Sequence, residues 1–463
     1  MAVTRHLRPV AVGLVLALAA TSTGAGAAAS VPAGTQPAAT LTAVSTAVDS
    51  SNQAGWWSPM DLDGPDQLYA FNRDVPPTPG SPSATEHEVV LDVQRGGLTS
   101  SGCLPTGDGG GCARFLDDCG HRQPSVIIDG AGYLHAFVGM HNSPWGYFRS
   151  EQPWDPTTMV DRSGELPDQD GLITYPVVTR TPSGDLYLAA RVRQVGSPVG
   201  GRLYRWDVAG RQWTSVATFA AQSYHWVYPD DLVADDAGRI HLLWQWSYGG
   251  AGGIRHLGSY LRYDPTTGAF SNAQGRAVPV PATTSSPVVY QPLSQGETAV
   301  GRSSGAAGIQ SAKLAVVPGT STPMIVYRLR TRDGGRFEVR RARPVGTKWA
   351  RDIVYAGTYD TFAALDITHD GESVRVYYAK KNTRTIAQAH VAEKGRSGGF
   401  VERALAPDLT IERLSVVMDG SGTDHLYLTD LTEPPRDPQD PASTEDPRCP
   451  GPPGTLYVGT LPR

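Results

Sequence analysis

The sequence predicts an all-β chain folded as a single β-propeller of seven four-stranded blades, with six or eight also compatible with the spacing. Three observations point there: the composition, a hairpin that recurs along the chain, and the distance between its copies. Of 463 residues, 52 are Gly and 37 are Pro, well above the usual share of about 12% for the two together. Such an excess alone would fit disorder. But 40% hydrophobic residues, with ten Trp and nineteen Tyr, carry too much apolar and aromatic surface for an unfolded chain. Charged residues make up only 18%, and a long, weakly charged, turn-rich chain reads as many short strands. Length alone would suggest roughly three domains; the repeat described below folds them into one ring. The formal net charge of −5 argues against a broadly basic nucleic-acid binder.

In chain order, residues 1–29 come first. Arg5 and Arg8 precede an apolar run from Val10 to Ala20 and then small residues through Ala29, the pattern of a secretory signal peptide. The run is too short for a spanning helix, and no later stretch is long enough to cross a membrane. Residues 30–51, rich in Ala, Thr, Ser and Pro, read as a flexible leader, and residues 52–463 as the propeller. Export makes the protein extracellular and brings Cys103, Cys112, Cys119 and Cys449 into an oxidising compartment. Four cysteines permit two disulfides in three connectivities. A bridge from the 103–119 cluster to Cys449 would tie the two ends of the domain together.

The hairpin appears most clearly in residues 125–140 (SVIIDGAGYLHAFVGM), 176–192 (PVVTRTPSGDLYLAARV) and 230–246 (DDLVADDAGRIHLLWQW). Each is a β-rich run, a Gly/Asp/Ser turn and a second β-rich run. Weaker copies follow at 313–329, 365–379 and 414–429. The matching positions Leu134, Leu186, Ile240, Ile325, Val376 and Leu426 are 52, 54, 85, 51 and 50 residues apart, a period that fits a propeller blade. The long step hides a degenerate blade or an insertion around residues 279–308. Residues 56–93 supply another blade, and LYVG at 456–459 a closing strand.

Residues that break the repeat are candidates for chemistry. His135 and His241 follow matching positions in register, so packing or hydrogen bonding explains them. His121 and His141 instead flank the first hairpin, equidistant from its turn, and Tyr175 and Arg191 flank the second in the same way. Tyr228 faces Gln245 and Trp246 across the third. Pro124, Pro176 and Pro229 share a register, so these residues enter and leave three consecutive blades at one rim. The expected catalytic set is His121, His141, Tyr175, Arg191 and Tyr228. Asn142, Trp145, Trp226, Gln245 and Trp246, with Trp244 nearby, are the expected substrate-binding set. A polar, aromatic rim that merely faces solvent is the plain alternative; matched geometry in three copies argues against it.

No pair of carboxylates stands out here, which disfavours a glycosidase. Asp230 and Asp231 are adjacent and would point to opposite faces of their strand. The sialidase repeat Ser-x-Asp-x-Gly-x-x-Trp, G-x-S-x-G and a phosphate loop are all absent. The run Asp61-Leu-Asp-Gly64 lacks the remaining ligands of a calcium loop and reads as a turn. His, Tyr and Arg without carboxylates suit β-elimination from a uronate. Arg neutralises the carboxylate beside the C5 proton, a base removes that proton, and an acid protonates the leaving O4.

The ordered segments HRQP at His121, DGAGYLH, GMHNSP at 139–144, ITYP ending at Pro176, AAR ending at Arg191, VYP ending at Pro229 and DDAGRIHLLWQW together resemble the BNR-repeat-containing propeller family. That family includes ulvan lyases and related lyases acting at rhamnose–glucuronate linkages. The resemblance covers about residues 120–275, the C-terminal third matching only as generic blades. It implies a seven-bladed propeller and β-elimination, with Arg191 neutralising charge and Tyr175 and His121 transferring protons. His141 and Tyr228 would orient substrate or share that work, and which of His121 and Tyr175 is the base stays open.

The expected protein is thus a secreted, monomeric lyase acting on an acidic polysaccharide. It has no nucleic-acid or membrane partner and requires no cofactor, and a structural metal is left open. A carbohydrate-binding propeller without catalysis is the alternative, and a glycoside hydrolase a weaker one.

Overall fold

The computed structural model describes residues 38–49, 52, 57–76, 86–116, 122–248, 255–293, 308–331, 335–358, 364–381, 387–430 and 453–463. The signal-peptide reading for residues 1–29, the first part of the leader, His121, Cys119 and Cys449 lie outside the described residues. Within them, regular structure is antiparallel β-strand plus two single 3-10 turns at Pro156–Thr158 and Ser163–Glu165. Among the described residues no helix is long and apolar enough to cross a membrane.

The strands form meanders. One four-stranded sheet runs Ser125–Ile128, Leu134–Phe137, Tyr147–Ser150 and Met159–Asp161, and another Leu365–His369, Val374–Lys381, Ala387–Lys394 and Val401–Ala404. A five-stranded sheet comprises Leu172–Arg180, Leu186–Arg193, Gly200–Asp207 and Gln212–Ala220, with His141–Ser143 added beside the first strand. Two nine-stranded sheets complete the set, and each divides at a link of one residue pair, Arg255↔Ile309 in one and Val48↔Arg73 in the other. The first strands of successive meanders pack side by side. Met60–Asp63 contacts Ser125–Ile128, followed in turn by Leu172–Arg180, His225–Ala234, Gly308–Val316, Leu365–His369 and Ile411–Met418, which contacts Met60–Asp63 again.

Polar side chains staple these first strands together. Asp61 Oδ2 accepts the Ile128 N–H (2.9 Å), Asp231 Oδ2 that of Leu314 (2.8 Å), Asp366 Oδ2 that of Val416 (2.7 Å) and Thr179 Oγ1 that of Ala234 (3.1 Å). Each satisfies a backbone donor of the neighbouring meander that would otherwise be orphaned. The strands surround a cavity of about 450 Å³ into which Asp61, Asp231, Lys313 and Asp366 face. Burial, with a further push from Asp231, raises the Asp366 carboxyl to about 7, against the opposing pull of Lys313.

The hairpins are held by a repeated polar unit. At Asp129, Asp235 and Asp419, Oδ1 accepts two turn N–H groups, and Oδ2 accepts from the histidine six residues on: His135 (3.2 Å), His241 (3.2 Å) and His425 (3.1 Å). The other ring nitrogen meets Tyr147 Oη (2.9 Å), Tyr260 Oη (2.7 Å) or Gln67 Nε2 (2.9 Å). His135 and His241 are structural, as their register implies. Burial lowers the pKa of both, more than the adjacent carboxylates raise it. Where two hairpin tips meet, a Cβ on Gly130 would stand 2.5 Å from Gly184 Cα, so the approach requires glycine.

Two sequence expectations are corrected and one is sharpened. Residues 40–48 of the supposed leader form the strand Thr40–Val48, paired with Gly454–Leu461. Its Val, Thr and Leu content suits a strand, and the pairing joins regions near the two ends of the sequence. Cys103 bonds to Cys112, since the turn at 106–111 brings the chain back through the Pro105↔Cys112 bridge; the bridge expected from the 103–119 cluster to Cys449 would fall to Cys119, which like Cys449 lies outside the described residues. The last three reference positions are displaced. Leu134, Leu186 and Ile240 are the first paired residues after their turns, whereas Ile325, Val376 and Leu426 are the third. A slip of two residues keeps each side chain on its face, so hydrophobic matching does not detect it. The long step proves to be an insertion: its strand Val289–Gln291 pairs with Arg255–Asp264 and forms no meander of its own.

Candidate active site

The site grows from two Tyr-Pro pairs. Thr174 pairs with Arg191 and Val177 with Ala189, so Tyr175 and Pro176 stand opposite the single Ala190 in a bulge. Proline supplies no N–H to the ladder, and it disfavours the right-handed helical region for the residue before it. Tyr175 takes the left-handed region instead, at φ +56°, a conformation that costs a non-glycine residue about 1–3 kcal/mol and persists where the surroundings hold it. In the next meander the ladder slips between Pro229 and Asp231, just after Tyr228. Both phenols are thereby brought together, ring centroids 5.3 Å apart, with Trp57 5.7 Å from Tyr175.

Arg191 occupies the space these rings enclose. Its Cζ lies 4.8 Å from the Tyr175 ring, 4.8 Å from Tyr228 and 5.1 Å from Trp226. The side chain is 2% exposed. Nη2 makes a long contact, 3.4 Å, with Asn142 Oδ1, while Nη1 is buried with no hydrogen-bond partner among the described residues. No ion pair joins Arg191 to a carboxylate among the described residues. The aromatic faces compensate part of its charge, but a buried guanidinium N–H without an acceptor is costly, so the arrangement favours an incoming anion.

The other expected residues divide. His141 lies on the short strand His141–Ser143, which pairs with the following sheet and not with its own hairpin: its Cα partner is Thr174, itself the partner of Arg191. His141, Thr174 and Arg191 therefore form a row across three strands. Asn142, at φ +51°, donates its N–H to Thr174 Oγ1 at 2.8 Å. Trp226 borders Arg191 as expected. Gln245 is opposite Tyr228 and donates from Nε2 to Asp230 Oδ2 at 2.7 Å, while Asp231 turns to Leu314, so the two adjacent carboxylates do point apart.

Trp145, Trp244 and Trp246, expected at the mouth, are buried in the core. Trp145 Nε1 donates to the Pro167 carbonyl at 2.7 Å, its ring edge-on to Tyr204. Trp244 and Trp246 pack with Phe219 and Val227. Strand alternation turns them to the covered face of their sheet. Sequence reasoning missed Trp57 and Thr174. Trp57 precedes the strand Met60–Asp63, outside any periodic pattern; Thr174 was legible only as the residue before a bulged Tyr-Pro.

A guanidinium awaiting an anion, two phenols and an imidazole can bind an acidic group and move protons beside it. A family model described as "BNR repeat-containing family member" matches residues 112–353. No curated protein sequence matches the chain. Among solved structures, the chain is similar to an ulvan lyase of a new polysaccharide lyase family, with 15% identity and a TM-score of 0.60 over 84% of this chain and 92% of that one. Such a lyase bound to -[GlcA(1-4)Rha3S]- matches at 14% identity and TM-score 0.60, over 84% and 93%. The polysaccharide lyase Uly1 matches at 13% identity and TM-score 0.58, over 88% and 90%. At such identities the likeness is one of fold.

Proposed function

The chain belongs to the BNR repeat-containing family, and on that premise we propose that it is a secreted polysaccharide lyase that cuts a uronate-containing polysaccharide by β-elimination. The observation that carries the reading is Arg191, with a buried Nη1 lacking an acceptor and three aromatic rings about its guanidinium. A uronate carboxylate supplies the missing acceptor. Pairing there withdraws charge from C5 and stabilises the enolate-like state that forms when its proton leaves. The C5–H electrons become the C4=C5 double bond, the C4–O4 bond breaks, and O4 takes a proton. Tyr175 and His121 carry these transfers, one as base and one as acid; His141 and Tyr228 orient the sugar. The chemistry needs no cofactor.

The ulvan lyase bound to a glucuronate–rhamnose repeat supports an ulvan-like or rhamnose–glucuronate linkage as substrate. The architecture belongs to the same reading. Three smaller sheets and two meanders from each nine-stranded sheet support a count of seven blades, and the cyclic contacts of their first strands support a closed ring. The Cys103–Cys112 disulfide supports an oxidising, extracellular setting.

The test is incubation with a panel of uronate polysaccharides while following ultraviolet absorbance from the new C4=C5 bond. A rise on at least one polymer is expected. Polymer binding without any such rise would make the protein a carbohydrate-binding propeller instead.

A further inference from the structure

One exposed aromatic residue has no use in the fold. The link from the strand Gln212–Ala220 to His225–Ala234 enters the latter at the end that carries Trp226 and Tyr228, so it lies on the same face as Arg191. Its last residue, Tyr224, has φ +61° and is 88% exposed. A tyrosine in the left-handed region is strained where glycine would not be. Its ring has no ring or cation partner among the described residues.

The turn beneath it is nonetheless firmly built. His225 N–H bonds to the Gln222 carbonyl at 3.2 Å, and His225 Nδ1 lies 3.1 Å from Gln222 Nε2 and 3.0 Å from the Ser223 carbonyl. Gln222 Oε1 accepts from both Thr284 N (2.8 Å) and Thr284 Oγ1 (3.0 Å). Ala221 N–H bonds to the Ala282 carbonyl at 3.1 Å, and Ala282 N–H to that of Phe219 at 2.8 Å. The buttress thus comes from the insertion that interrupts the blade period. Its hydrogen bonds hold the backbone on either side of a solvent-facing tyrosine, itself in the left-handed region, two residues from the Trp226 that borders Arg191.

We propose that Tyr224 is a sugar-stacking subsite at the rim of the Arg191 site, and that the insertion, through Ala282 and Thr284, serves in part to present it. The occupant is a pyranose ring of the acidic polymer, neighbouring the uronate held at Arg191; its apolar C–H face lies on the phenol ring. The proposal rests on the lyase reading above.

The test is retardation of the full chain in gels containing the polymer that the absorbance assay selects, in a Tyr175→Phe background that prevents turnover. Adding Tyr224→Ala is expected to weaken retention roughly fivefold to tenfold, and Tyr224→Phe to preserve it. Tyr224→Gly relieves the backbone, so it weakens retention while leaving the melting temperature at or above that of the parent, which separates binding from folding. Unchanged retention in both Tyr224→Ala and Tyr224→Gly would overturn the subsite while leaving the lyase reading intact, provided that the unmutated chain makes the double bond. A chain that neither binds nor cleaves any polymer overturns both.

Discussion

Two regions of the molecule bury ionisable side chains beside aromatic rings, with opposite results. In the hairpin units each histidine has both nitrogens engaged, between a turn aspartate and, in two copies, a tyrosine hydroxyl. In the Arg191 cage the aromatic faces surround a guanidinium whose Nη1 has no acceptor among the described residues. The first arrangement is complete and recurs, so it serves the fold. The second leaves a donor without an acceptor among the described residues and occurs where the repeat is broken, which is what the lyase proposal draws on. Between these two regions the difference lies in polar satisfaction and not in residue type, because aromatic rings and ionisable groups occur in both.

The sharpest way to break the comparison is to change one residue on each side. Arg191→Ala is expected to lower kcat/KM on the active polymer by about 10³-fold, with a much smaller effect on thermal unfolding, because what the fold loses is one long contact to Asn142 and the aromatic packing while an unpaired buried charge is removed. Retained activity would remove Arg191 from the site. Asp235→Ala should do the reverse. It strands the turn N–H groups of Ala237 and Arg239 as well as His241, so the expected loss is about 2–4 kcal/mol in urea unfolding, with the site chemistry intact in the folded fraction.

The same unit has a pH signature. Burial lowers His135 and His241 below their ordinary value. The unfolded chain therefore takes up protons first, and stability should fall as pH drops from about 6.5 toward the folded-state values. Asp366 works the other way. Its carboxyl is raised to about 7, so the folded state holds a proton that the unfolded state releases. Stability from this group is present at low pH and lost as pH rises through 7. Asp366→Asn, compared with the parent at pH 5 and pH 8.5, should show a relative gain of about 1–3 kcal/mol at the higher pH; an equal difference at both would refute it.

The smallest expected effect tests how the cage is held. Thr174 Oγ1 accepts the Asn142 N–H, and Asn142 Oδ1 faces Arg191. Thr174→Val should cost about tenfold in kcat/KM, while Thr174→Ser, which keeps the acceptor, should recover most of it. Equal loss in both would reduce Thr174 to packing.

Much of the site was legible because Tyr175, Arg191 and Tyr228 lie on consecutive hairpins, where equidistance from a turn translates into proximity. Trp145, Trp244 and Trp246 were misjudged for a related reason: closeness along a strand says nothing about which face a ring covers. The two-residue slip in the later copies went unseen because strand alternation is blind to even displacements. The strand Thr40–Val48 read as a leader because its partner, Gly454–Leu461, lies about four hundred residues away.

By itself, then, the sequence determined the β class, the hairpins, their Asp-based turns and the Tyr-Pro irregularities. These depend on local alternation, on turn chemistry and on the missing proline N–H. Only the tertiary structure decided that His141 joins the next sheet, that Cys103 pairs with Cys112, that three tryptophans turn inward and that Arg191 is left without an acceptor among the described residues. Those outcomes depend on which distant groups arrive to satisfy or cover a side chain, and no local pattern encodes an arrival from another part of the chain.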